Sequence, residues 1–194
     1  MKWIGLTGGI ASGKTTVSNR LKELGMPVVD ADHLAHQAFR ICAPKIETYF
    51  GSDILDTAGN IDRKKLGARV FSNEKEKLAL EAMLHPIVQE KVTEKKRLFE
   101  IADYSAAVYD VPLLFEKQLQ SQFDHVLVVY APVEISLERL MRRNNFTKEE
   151  ALLRINNQID IELKKSQADS VIKNTGDLDQ LLAKVDSWYQ SIME

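Results

Sequence analysis

Residues 8–15 read Gly8-Gly9-Ile10-Ala11-Ser12-Gly13-Lys14-Thr15 and fill every fixed position of the pattern G-x-x-x-x-G-K-[ST]. Glycines at the first and sixth places allow backbone conformations that side chains forbid, so that successive N–H groups can turn inward around an anion. The lysine adds a mobile positive charge, and the hydroxyl at the last place offers a ligand to a hard cation such as Mg²⁺. The chemistry that these types serve is the holding of a nucleotide's phosphates. With glycine near 7% of average sequences, a chance match in a chain of this length is on the order of 1%. Gly8, Gly9, Ala11, Ser12, Gly13, Lys14, Thr15 and Thr16 are therefore the expected nucleotide-binding set, with Lys14 on the β- and γ-phosphates and Thr15 on the metal.

A second group of chemically capable residues follows at Val28-Val29-Asp30-Ala31-Asp32. Two carboxylates at the carboxyl end of a strand lie on the edge where open α/β sheets bind ligands. Asp32 is the candidate for taking the proton of an attacking hydroxyl; Asp30 either orients metal-bound water or caps the helix that begins near His33. Asp56-Thr57-Ala58-Gly59 matches D-x-x-G, but it stands in a polar, turn-like stretch, and the chain has no N-K-x-D with which to read guanine.

These residues need a scaffold, and short β-branched runs at 3–7, 27–29, 106–111, 125–131 and 170–173 supply its strands. Their continuous apolar character suits strands covered on both faces. The expected fold is a three-layer, doubly wound α/β domain around a five-stranded parallel sheet. Val17, Leu21 and Leu24 keep helical spacing after the phosphate loop. Residues 41–103 carry no strand signal and read as a helical insertion that forms an acceptor site, leaving a core of 1–40, 104–135 and 166–194. A lid region at 136–165 contains an Arg-rich bend, after which Thr147 and Glu150 have the spacing of a capping box.

Composition narrows the partners. Hydrophobic residues make up 44% and charged residues 28%, and the net charge of −2 offers no field for a polyanion, so nucleic acid is not expected. The single cysteine, Cys42, cannot make an internal disulfide and reads as a small apolar residue, in keeping with a reducing cytoplasmic setting. The N-terminal apolar stretch is short, glycine-rich and continuous with the phosphate loop, which is unlike a signal peptide; no run is long enough to span a membrane. A monomer or weak homo-oligomer is the expectation.

Further stretches extend the pattern: Leu84-His85-Pro86, Val111-Pro112-Leu113-Leu114-Phe115-Glu116, Arg139-Leu140-x-x-Arg143, Arg154-Ile155-x-x-Gln158 and Ala168-Asp169-x-Val171-Ile172-x-Asn174-x-Gly176. In this order, with the phosphate loop and the Asp30/Asp32 pair, the chain resembles the bacterial dephospho-coenzyme A kinases along nearly its whole length. That family usually has glycine where this chain has Ala11, and more commonly serine where it has Thr15. The resemblance implies ATP and Mg²⁺, a dephospho-coenzyme A acceptor phosphorylated on its ribose 3′-hydroxyl, Asp32 as base and Arg143 as a lid arginine on the phosphates, with Arg139 as a second. It places Asn174 and Gly176 beside adenine, and His85, Arg63, Leu113 and Leu114 around the acceptor. The residues alone leave other readings open: His85-Pro86 as a helix break, Leu113 and Leu114 as core, Asn174 to Gly176 as a plain turn. Another small-molecule kinase of nucleoside monophosphate or shikimate type, or a nucleotide-dependent switch, would share the loop. On any catalytic reading, Lys14→Ala lowers phosphoryl transfer by roughly two orders of magnitude or more while far-ultraviolet circular dichroism stays unchanged; turnover near wild type would remove Lys14 from its assigned role.

Overall fold

A computed structural model describes residues 1–194. Its strands are β1 (Lys2–Gly8), β2 (Val28–Asp30), β3 (Ala106–Asp110), β4 (His125–Tyr130) and β5 (Ser170–Lys173), paired in parallel in the order β2-β3-β1-β4-β5. All five expected strands are present, with ends displaced by no more than a residue or so. Pro27 stands outside β2 because it has no N–H for the ladder, though its carbonyl still accepts from Val108 at 2.8 Å. Register follows from the apolar runs: Leu6 of β1 and Asp30 of β2 both lie opposite Asp110 of β3. The carboxyl ends of the three strands thus meet at one edge, and β1 passes there into the phosphate loop.

Alternate residues of the strands serve the two faces of the sheet. On one, Ile4, Leu6, Val108, Leu127 and Val129 pack with Val17 and Leu21 of α1 (Lys14–Glu23) and Leu181, Val185 and Trp188 at the chain's end. Each such side chain, fully buried, contributes roughly 1.5–3 kcal/mol. Arg20 of α1 grips Asp186 through two hydrogen bonds of 2.7 and 2.8 Å, and each partner stabilises the charged form of the other. On the opposite face, Gly5 makes room for Leu114 and Phe123: a methyl group there would sit 2.6 and 2.9 Å from their side chains. Trp3, Tyr109 and Phe123 stack beside it, with centroids 5.9–6.5 Å apart.

The chain forms two compact units, one of residues 1–30 and 97–194 and one of residues 31–96. The smaller contains α2 (Ala31–Phe50), α3 (Arg63–Ser72) and most of α4 (Glu74–Ile101). Cys42, Ile46, Phe50, Ile54 and Leu66 form its core, which agrees with the apolar reading of Cys42. Asp62 caps α3 by accepting from Lys64 and Lys65 N–H at 2.8 and 3.3 Å, and these bonds hold its carboxyl below the usual range. The helix-break reading of His85-Pro86 is not what the structure shows, because α4 runs through Pro86 without interruption. The packed apolar face, with Met83, Leu84 and Ile87 against the unit's core, outweighs the missing amide. Cys42 Sγ donates to the Met83 carbonyl at 3.3 Å, close to that gap.

In the larger unit, α5 (Val133–Asn144), α6 (Lys148–Asn156) and α7 (Ile161–Ser166) precede β5, and α8 (Leu178–Met193) ends the chain. The capping box at Thr147 and Glu150 opens α6 as its spacing foretells. One tie was not foreseen. Lys164 of α7 is completely buried, with Nζ 2.6 Å from Glu116 Oε1 but out of line for a hydrogen bond. The same oxygen accepts from Ile159 N–H at 3.1 Å, and the other carboxylate oxygen is buried without a partner. Removing one partner of such a pair strands a charge, whereas removing both does not. Lys164→Met is therefore expected to cost about 3–5 kcal/mol in urea unfolding, and adding Glu116→Leu to recover most of it; a single variant as stable as the double one would contradict the pairing.

Candidate active site

After Gly8 the chain folds into the loop through two left-handed residues, Ala11 at φ 58° and Gly13 at φ 95°. Ser12 N–H donates to Gly9 O at 3.1 Å, and Thr16 and Val17 N–H both turn back to Gly13 O at 3.0 and 3.2 Å. At Gly13 the constraint is double, since a Cβ would strike the side-chain amide of Asn174 in addition to the strain of the conformation. Ala11 bears a Cβ in the left-handed region, at a cost of roughly 1–2 kcal/mol. Glycine would fill this position without that cost, and this chain tolerates the strain. The amides of Ala11, Gly13, Lys14 and Thr15 make no backbone hydrogen bond. With the positive end of α1 behind them, they form a cradle of anion-seeking donors. Ser12 differs from these four, since its N–H is taken by Gly9 O and its hydroxyl is buried without a hydrogen-bond partner.

The loop is braced from the far edge of the sheet. Asn174 follows β5, where its N–H is held by Tyr130 O at 2.8 Å, and its side-chain amide donates to Ser12 O at 2.8 Å. Arg139 of α5 donates to the carbonyl and the side-chain oxygen of Asn174, each at 3.3 Å. Both residues were expected around the nucleotide, and the structure brings them to the loop as supports. Gly176, two residues on, lies under the side chain of Gln180.

Lys14 Nζ forms an ion pair with Asp110 Oδ1. Asp110 ends β3, only 4% exposed, and sequence reasoning passed over it although it directly follows the apolar run of the strand. Burial pushes its carboxyl pKa up; the charge and hydrogen bond of Lys14 pull it down, Asp30 beside it raises it again, and a hydrogen bond from Ser18 lowers it, the net direction being upward. An acid directly after an apolar central strand was the available signal. No group of three or more His, Cys, Asp or Glu exists that could hold a metal by itself. Thr15 and Asp110 are nevertheless a donor set suited to Mg²⁺, which takes one or two protein oxygens and completes its shell with water and phosphate.

The remaining expected residues lie on other elements. Arg143 is exposed, and its Nε donates to Asn144 at 2.8 Å, with no hydrogen bond or ion pair to the loop. Leu114 is 0% exposed and packs against Gly5, so its place is in the core, whereas Leu113 is 41% exposed. In the smaller unit, Asp32 is exposed in the first turn of α2, Arg63 lies over the Phe39 ring at 4.6 Å, and His85 is exposed on α4. No helix is long and apolar enough to cross a membrane.

Comparison with known proteins follows the same outline. The family model described as dephospho-CoA kinase matches residues 2–180. A dephospho-CoA kinase of Geobacillus kaustophilus is 48% identical over 195 residues, covering 95% of this chain and 96% of its own. One from Bacillus cereus is 45% identical over 192 residues, with coverage of 95% and 96%. Among solved structures, a Thermus thermophilus protein superposes with a TM-score of 0.89 at 33% identity, covering 100% of this chain and 98% of that one. The dephospho-CoA kinase from Campylobacter jejuni gives 0.71 at 32%, with coverage of 98% and 97%. A shikimate kinase from Acinetobacter baumannii, at 0.54 and 20% identity over 100% of this chain and 93% of its own, shares the fold. Phosphate loop, sheet order and end-to-end similarity converge, and the chain belongs to the dephospho-CoA kinase family.

Proposed function

We propose that this protein transfers the γ-phosphoryl group of ATP to the ribose 3′-hydroxyl of dephospho-coenzyme A, completing coenzyme A. The observation that carries the transfer chemistry is the pairing of Lys14 with buried Asp110 at the mouth of an open amide cradle. Lys14 has two places to put its charge. With the loop empty it compensates Asp110; with phosphates in the cradle it turns to their oxygens and frees Asp110 to serve as a metal ligand. Thr15 and Asp110 would hold Mg²⁺, which would supply positive charge against the charge that develops during transfer. Asp32 accepts the proton of the 3′-hydroxyl as that oxygen bonds to phosphorus and the bond to the ADP oxygen breaks. Arg143 and Arg139 bring positive charge from the lid side, Arg139 while steadying Asn174. Adenine lies toward Asn174 and Gly176, and Arg63, His85 and Leu113 face the acceptor. The enzyme works in the cytoplasm, as a monomer or weak homo-oligomer.

The deciding assay follows ADP release and product mass with dephospho-coenzyme A, a nucleoside monophosphate or shikimate as acceptor. Only the first is expected to turn over, giving coenzyme A; turnover of another acceptor in its place, or release of inorganic phosphate alone, would replace this assignment. Asp32→Asn is expected to lower kcat by about 10²-fold or more with little change in the KM for ATP; weakening of ATP binding alone would make Asp32 a capping or metal-side residue.

Asp110 supports a prediction about pH. Its folded pKa lies above the unfolded value, so ionisation costs the empty fold stability as pH rises from the unfolded value to the folded one, and that cost persists above the folded pKa. Asp110→Asn removes it. Without nucleotide, the variant should melt above wild type at pH 7, the gap closing as pH falls below about 4, while transfer activity drops. A variant that melts lower than wild type at pH 7 would show that Lys14 fully compensates the buried carboxylate.

A further inference from the structure

The amides of the phosphate loop differ in what they are left to do. Those of Ala11, Gly13, Lys14 and Thr15 remain open to an anion, but Ile10 N–H donates to the side-chain carbonyl of Gln158 at 2.8 Å. Gln158 is 148 positions away in the chain, in the bend between α6 and α7. The bend is fastened immediately beyond this contact. Ile159 N–H is held by Glu116 at 3.1 Å, and the same carboxylate faces buried Lys164 at 2.6 Å. Ile161 packs on Gly9, where an added methyl would lie 3.5 Å from its Cδ1. Held in this way, the carboxamide is presented to the loop and not left to sample solvent. A cavity of about 380 Å³ opens beside the contact, lined by Gly9 and Ile10 on one side and Ile155, Gln158 and Ile161 on the other.

We propose that Gln158 is a positioning residue that couples the lid to the phosphate loop, keeping the base of the lid registered on Ile10 so that closure accompanies a correctly shaped loop and water is kept from the transfer. The residue type suits the task. A carboxamide oxygen accepts from the amide without net charge, whereas a carboxylate there would oppose the nucleotide's phosphates a few residues along the same loop. The consequence of loosening this joint is loss of exclusion more than loss of binding: water competes with the intended hydroxyl when the lid does not seat.

The inference rests on the phosphoryl-transfer reading, and the test separates the two. Inorganic phosphate and phosphorylated acceptor are measured in the same reaction, with ATP and dephospho-coenzyme A, for wild type, Gln158→Met and Gln158→Glu, alongside their melting temperatures. Gln158→Met keeps the length of the side chain but loses the carbonyl. It is expected to lower transfer kcat about tenfold, shift the KM for ATP by less than about threefold, and raise the ratio of free phosphate to product about tenfold. Gln158→Glu keeps an acceptor for Ile10 N–H, so it should hold the ratio near wild type while raising the KM for ATP. A wild-type ratio in Gln158→Met, whether or not its melting temperature falls, overturns the proposal, as does an equally raised ratio in Gln158→Glu. Wild-type enzyme that phosphorylates no acceptor would instead overturn the functional reading beneath it.

Discussion

A carboxylate that water scarcely reaches stands at the end of β3, and a lysine from the next strand's loop neutralises it. Without Lys14, buried Asp110 would lose the positive charge that offsets the neighbouring charge of Asp30. Much of the larger unit can be understood as what keeps Lys14 in reach. The parallel register of β1 and β3 puts the loop beside Asp110, and Gly13 lets the backbone turn sharply enough to start α1 there. Asn174 holds Ser12 from behind, while Arg139 holds Asn174. The shape of the cradle therefore depends on residues from β1, α5 and the end of β5 together.

Burial of this pair is a poor way to gain stability, because desolvation offsets most of what the charges gain from one another. On the proposed function its value lies in exchange. An ion pair that stabilises only modestly can be opened by a better partner, and a polyphosphate offers Lys14 more charge than one carboxylate does. The Glu116–Lys164 pair has the opposite character, since Lys164 is completely buried and the Glu116 side chain is only 16% exposed. On the proposed function the first pair opens to the nucleotide, while the second fastens α7 next to the bend that carries Gln158.

Much of this could be read along the chain. The strands announced themselves as continuous apolar runs because a strand covered on both faces has no polar alternation. The phosphate loop did so because its glycines answer to local backbone geometry, and the α6 cap because both halves of its hydrogen bonding lie within three residues. The Ala11 departure shows how local geometry is also legible as cost: the position needs a left-handed backbone, and this chain meets it with a methyl group attached. His85-Pro86 shows the limit of such reasoning, since a local breaker was outweighed by the packing of the helix face around it.

Sequence alone thus determined the family of chemistry, the sheet and the residues of the loop, each a matter of neighbours within about ten positions. Tertiary structure alone decided that Asp110 answers Lys14 across 96 positions, that Gln158 reaches Ile10 across 148, and that Lys164 meets Glu116. It also decided that Leu114 belongs to the core and that Arg139 and Asn174 are braces. An isolated acid, amide or amine carries no mark of its partner. The sign and worth of its interaction are set by burial and by what folding brings opposite, and neither exists until the strands have paired.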